Sequence, residues 1–133
     1  VGCVALERDG NIAAGTSTGG LTGKRFGRIG DSPIIGAGTY ADNRTCGISC
    51  TGHGEFFIRH AVAHDISARI SYKGESLAKA AVSVVHGTLK EAGGNGGVIG
   101  LDARGSVVIE FNTSAMSRGY IDKTGKVKTA IFK

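Results

Sequence analysis

The hydrophobic period changes twice along this 133-residue chain. In the opening VGCVALERDG, Val1, Cys3 and Ala5 alternate with Gly2, Val4 and Leu6 until the run stops at Asp9-Gly10. Through the middle, Ile58, Val62, Ile66 and Ile70 recur at every fourth position, and short apolar runs return after residue 97. A period of two sends successive side chains to opposite faces of a strand, whereas a period near four keeps them on one face of a helix. Strands, then helices, then strands, in separate blocks, predict an α+β fold with helices layered on an antiparallel sheet.

The spacing predicts strands over 1–7 and 11–17, joined by the hairpin pair Asp9-Gly10. A glycine-rich loop over 18–33 leads into an apolar stretch from Ile34 to Tyr40 and a third strand from Thr45 to Cys50. Helices are expected over 55–71 and 76–91, the second capped by Ser76. Val98–Leu101 and Val107–Phe111 form a hairpin, and Val127–Phe132 a last strand. Two helices cover one face of such a sheet and leave the other in need of cover. No repeat or linker divides the chain, so residues 1–133 are expected to be one unit.

Composition narrows the partners. The net charge is +5, but the basic residues are dispersed except for Lys123, Lys126, Lys128 and Lys133. No aromatic residues interleave with these lysines as stacking platforms, so no nucleic-acid partner is expected. No apolar run reaches membrane-spanning length, so no membrane partner is expected either. Of the three cysteines, Cys46 and Cys50 share a strand face but are spaced too far along it to bond. Reduced thiols point to the cytoplasm.

Two apparent motifs fail. Thr18 to Arg25 (TGGLTGKR) nearly matches a phosphate-binding loop, but Thr18 and Arg25 replace the Gly and the Ser/Thr that it needs. His60 and His64 have the i, i+4 spacing of metal ligands without further ligands beside them, so they are read as exposed histidines and no metal site is assigned. Two other stretches carry chemistry. The loop TSTGGLTGKRFGRIGDSP sets Arg28, a planar fork for a carboxylate, three residues before Asp31, an acceptor for an ammonium; on the residues alone an ordinary Arg–Asp surface pair is the favoured reading. SCTGHGE, Ser49 to Glu55, ends a strand and opens a helix, where backbone N–H groups and the Thr51 hydroxyl favour an oxyanion; a capped strand-to-helix turn is the ordinary alternative. No nucleophile–base pair is evident to go with them.

Val1-Gly2-Cys3-Val4-Ala5, Thr16-Ser17-Thr18-Gly19-Gly20, Gly27-Arg28-Ile29-Gly30-Asp31-Ser32-Pro33, Gly36-Ala37-Gly38 and Thr51-Gly52-His53-Gly54-Glu55 occur together in this order and spacing. Together they resemble the β subunit of the plant-type asparaginase/isoaspartyl peptidase family, threonine-dependent N-terminal nucleophile hydrolases. The resemblance runs from end to end.

It implies a four-layer αββα sandwich completed by an α subunit, autoproteolysis of a precursor, and an (αβ)2 heterotetramer acting on a small-molecule substrate. It implies a nucleophilic Thr immediately before Val1, outside this sequence, whose free α-amine serves as base. That accounts for a strand starting at the first residue and for the missing nucleophile–base pair. A chain truly starting at Val1 would keep the substrate grip and lack the chemistry.

By the same resemblance, Thr18 orients the nucleophile, Thr51 and the Gly52 N–H form the oxyanion hole, and Arg28 holds the substrate α-carboxylate. Asp31 and the Gly54 carbonyl hold its ammonium, and His53 receives no role. The chemistry needs no cofactor, and a structural sodium or potassium ion belongs to the α subunit if anywhere. Glycosylasparaginases are the nearest alternative. Gly19, where they carry Asn, and Glu55, where they carry Asp, argue against them, as does cysteine usage suited to the cytosol. A non-enzymatic or inactive relative is the other alternative.

Overall fold

Large and small residues alternate along Cys46–Gly52, and that alternation sets how the layers stack. In the computed structural model, which describes residues 1–133, eight strands are present. They are β1 (Gly2–Leu6), β2 (Ile12–Thr16), β3 (Thr39–Ala41), β4 (Cys46–Gly52), β5 (Gly96–Asp102), β6 (Val107–Phe111), β7 (Ala115–Ile121) and β8 (Val127–Phe132). The central sheet has the order β3-β4-β5-β6, antiparallel throughout, while β1–β2 and β7–β8 are separate hairpins. The helices are α1 (Gly54–Arg59), α2 (Val62–Lys73) and α3 (Leu77–Val82), the last continuing as a π-helical segment, Ser83–Leu89. The α+β class with antiparallel sheets is therefore as the sequence predicts.

Cys46, Ile48 and Cys50 of β4 join Val98 and Val108 in one buried core with Phe57, Ile66 and Leu89 from the helical layer. Burying one such aliphatic side chain contributes roughly 1.5–3 kcal/mol. The opposite face of β4 carries Gly47 and Ser49. A Cβ at Gly47 would lie 2.6 Å from the Ile12 side chain, and one at Gly2 would overlap the Ser49 hydroxyl. The β1–β2 hairpin therefore lies directly against this face where only Gly47 and Ser49 project from it. It supplies part of the cover that the sequence shows the sheet to need.

The two expected helices depart from expectation, and two strands, β3 and β7, are added to those expected. The helix expected over 55–71 is two helices, broken where Ala61 takes a left-handed conformation (φ 44°). The break frees the first N–H groups of α2, and those of Ala63 and His64 donate to the Ala37 and Gly36 carbonyls at 3.2 and 2.8 Å. These bonds satisfy helix-end donors and anchor the loop that follows Asp31. His60 and His64 consequently do not share a continuous helix. His64 is exposed, as expected, but the His60 Nε2 is buried without a partner, and no cluster of metal-ligating residues exists.

The second expected helix does start at the Ser76 cap, whose hydroxyl accepts from the Lys79 N–H at 3.3 Å. Its second half is π-helical, with the Val85 carbonyl accepting from Asn112 Nδ2. The stretch from Ile34 to Tyr40 is mostly turns, with only the short β3 at its end. Strand β7 has no sequence signature, since Ser117, Arg118 and Gly119 interrupt its apolar residues. It forms because β8 supplies the pairing, reinforced by Arg118 donating to the Ile131 and Phe132 carbonyls.

Candidate active site

Strand β2 runs into the glycine-rich loop, and β4 runs into α1; both junctions open on the same cleft. It has a volume of about 880 Å³, and Thr18, Arg28, Asp31, Thr51, Gly52 and Gly54 all line it, together with Val1 and His53. The six residues assigned roles by resemblance, spread over 37 positions from Thr18 to Gly54, are thus brought together.

Val1 is tied to the end of β2: its nitrogen donates to the Ser17 carbonyl at 2.6 Å, and the Ser17 N–H donates back to the Val1 carbonyl at 2.8 Å. In the β1–β2 register Gly2 faces Thr16. Thr16 and the buried Ser49 are hydrogen-bonded through their hydroxyls at 2.6 Å, and Thr16 also donates to the Gly38 carbonyl at 3.1 Å. The Thr18 hydroxyl accepts from the Gly20 N–H at 2.9 Å, which closes the start of the loop.

Asp31 is buried, at 6% exposure, and its Oδ2 has no hydrogen-bond partner. Burial pushes its carboxyl above the usual range, against its own backbone N–H and the charges of Arg28 and Lys24. Its pocket is shaped by absences: a Cβ on Gly54 would lie 2.7 Å from Asp31 Oδ1, and one on Gly38 would lie 2.7 Å from Oδ2. A buried acceptor left without a donor costs free energy unless a ligand satisfies it.

Arg28 does not pair with Asp31, so the surface ion pair admitted by the sequence does not form. Its Nη2 donates instead to Glu55 at 2.5 Å. The Glu55 carboxyl is lowered by its own backbone N–H and by Arg28.

Thr51 lies within β4 and does not cap the helix; the N-cap is His53, whose side chain makes no capping bond. At six residues, α1 is also shorter than the helix expected to support an oxyanion. The turn instead depends on glycine. Gly52 (φ 149°) and Gly96 (φ 156°) face each other across β4–β5, and a Cβ on either would run into the other's Cα at 2.7–2.8 Å. The His53 N–H donates to the Asn95 carbonyl at 3.0 Å, locking the strand-to-helix junction to β5.

Sequence reasoning missed Glu55 as the partner of Arg28, Ser49 beneath the hairpin, Gly96 opposite Gly52, and the Met116–Gly119 wall contributed by β7. The Gly93–Gly97 cluster was the one signal available for Gly96; the others come from different elements and have no local pattern.

A family model described as Asparaginase matches residues 1–131. The chain is 53% identical over 120 residues to the isoaspartyl peptidase of Escherichia coli (strain K12), which covers 90% of this chain and 37% of the relative. It is 49% identical over all 133 residues to the probable isoaspartyl peptidase/L-asparaginase 2 of Arabidopsis thaliana, 40% of that protein. It is 40% identical over 131 residues to the plant-type L-asparaginase of Pyrobaculum calidifontis, 98% of this chain and 44% of the relative. The chain belongs to the asparaginase family. It spans about two-fifths of the length of the curated relatives it matches.

Proposed function

We propose that this chain is the β subunit of an N-terminal nucleophile amidohydrolase that cleaves β-aspartyl (isoaspartyl) dipeptides and L-asparagine. The observation that carries the reading is the single cleft shared by Val1, Thr18, Arg28, Asp31, Thr51, Gly52 and Gly54. The register adds support. Gly2 faces Thr16, so a residue preceding Val1 and continuing β1 would face Thr18, with its side chain on the side of Gly2, toward Ser49 and Thr51.

In this mechanism that residue is Thr. Its hydroxyl attacks the side-chain amide carbonyl while its own α-amine takes the proton. The oxyanion accepts from the Thr51 hydroxyl and the Gly52 N–H. Collapse breaks the C–N bond, the α-ammonium returns its proton to the leaving amine or ammonia, and a β-aspartyl-threonine ester remains. Water, deprotonated by the α-amine, then cleaves the ester and frees aspartate. Arg28 holds the α-carboxylate by charge-assisted bonds, and Asp31 with the Gly54 carbonyl receives the ammonium.

Autoproteolysis of a precursor generates the nucleophile. An α subunit completes the αββα sandwich and the (αβ)2 assembly, and a sodium or potassium ion, where present, sits in that subunit. The names of the relatives, isoaspartyl peptidase and L-asparaginase, agree with this substrate class.

The test is aspartate release by the matured full-length protein from a β-aspartyl dipeptide, L-asparagine and a glycosylated asparagine. Hydrolysis of the first two, with a 133-residue chain plus Thr trapped as its aspartyl ester in mass spectrometry, is the expected outcome. Turnover of the glycosylated substrate alone would assign the glycosylasparaginase reaction, and no turnover of any would leave an inactive relative.

A further inference from the structure

We infer that Glu55 is a positioning residue for Arg28, fixing the guanidinium so that its remaining donors face the substrate α-carboxylate. The inference rests on the reading of Arg28 as the carboxylate-binding group. Arg28 lies between Gly27 (φ 81°) and Gly30 in a loop without regular structure. Its backbone N–H makes only a long 3.4 Å bond to Arg25, and its side chain is 35% exposed. Left alone, so long a side chain samples many rotamers. The nearer acid in sequence, Asp31, does not restrain it, because the Asp31 Oδ2 has no partner.

Restraint comes from Glu55 in the first turn of α1, whose Oε2 accepts from Nη2 at 2.5 Å. The Glu55 side chain is 51% exposed, and Arg28 is its one hydrogen-bond partner. Its backbone follows Gly54, where a Cβ would meet Asp31 Oδ1 at 2.7 Å, so the start of α1 sits directly against the Asp31 loop. A guanidinium carries five N–H donors in a rigid fork, and this bond engages Nη2 alone. The Nε and Nη1 donors remain for a ligand in the cleft. One ion pair therefore ties the loop that bears Arg28 to the helix that follows the oxyanion segment.

The experiment is steady-state kinetics on L-asparagine and a β-aspartyl dipeptide, using the matured full-length protein. The variants are Glu55→Ala, Glu55→Gln, Arg28→Ala and the double Glu55→Ala/Arg28→Ala, each with its melting temperature measured. Glu55→Ala is expected to raise KM about tenfold for both substrates, with kcat within about twofold, the signature of weakened binding without altered chemistry. Glu55→Gln keeps an acceptor and is expected to recover most of that loss. In the Arg28→Ala background, Glu55→Ala is expected to add nothing.

An unchanged KM in Glu55→Ala alongside an impaired Arg28→Ala overturns the role of Glu55 and spares that of Arg28. A lowered KM overturns it also, making Glu55 a competitor of the substrate carboxylate. Wild-type kinetics in Arg28→Ala overturn both. A loss in Glu55→Gln equal to that in Glu55→Ala, with a lowered melting temperature, marks a structural role only.

Discussion

At the scale of single residues, the cleft is defined as much by missing side chains as by present ones. Gly54 makes the point sharply, since a methyl there would lie 2.7 Å from Asp31 Oδ1 and 2.9 Å from its N–H. Gly54→Ala should displace Asp31 and lower kcat/KM by about 10²-fold, the scale set by misplacing a binding group by an ångström; comparison with Gly87→Ala, whose position has open space and no positive φ, isolates the effect. Asp31 predicts a pH dependence. Only its ionised form accepts an ammonium, and burial raises its pKa above 3.8. The acid side of kcat/KM should therefore carry, besides the limb set by the nucleophile's α-amine, a further fall set by Asp31 above pH 3.8, and Asp31→Asn should lose that further fall along with most activity. The sign for stability is opposite to that of a salt-bridged Asp. The native state binds this proton more tightly than the unfolded chain, so the Asp31 contribution becomes less favourable as pH rises from 3.8 through the raised pKa. Burial likewise pushes the Cys46 thiol to about 12 and the Cys50 thiol well above its ordinary value, so both should resist alkylation in the folded protein while the exposed Cys3 reacts.

At the scale of elements, the break between α1 and α2 does what a continuous helix would not: it turns two N–H groups of α2 toward the loop carbonyls at Gly36 and Ala37. Its cost sits on Ala61, a non-glycine residue at φ 44°. Left-handed backbone costs an L-residue roughly 1–2 kcal/mol. Ala61→Gly should therefore stabilise the matured protein, by about 1 kcal/mol after the glycine's own entropic cost, as a rise in midpoint on denaturant unfolding. Ser76→Ala should destabilise it by about 0.5–2 kcal/mol through loss of the α3 cap. The sequence showed Ser76 because a cap is a local pattern. It did not show the break, because Ile58, Val62, Ile66 and Ile70 keep their spacing across it. Nor did it show β7, whose pairing comes entirely from β8.

At the scale of the whole molecule, one sheet face is closed by helices and the other only in part by the β1–β2 hairpin. Large apolar side chains stay uncovered: Phe26, Val1, Ile35 and Phe132 are each more than 70% exposed. Singly exposed apolar residues are ordinary on a protein surface; it is the open sheet face that the proposed α subunit would close. Expressed alone, the chain should elute as aggregate or as a species with a low melting temperature; co-expressed with its companion, it should elute as a larger complex melting at least several degrees higher. No helix is long and apolar enough to cross a membrane.

What the sequence by itself determined was everything carried by local pattern: the α+β class from the change of period, the β1–β2 and β5–β6 hairpins from their turns, the Ser76 cap, and the two stretches that carry the cleft. Its family motifs named the six cleft residues, though Arg28 and Asp31 read alone were better taken as a surface ion pair. Only the tertiary structure decided that they are not, because Glu55 reaches Arg28 from 27 positions away and burial by Gly38 and Gly54 isolates Asp31. Spacing along a chain encodes which face a side chain takes; which partner it meets depends on how distant segments pack, and that information exists only in the folded molecule.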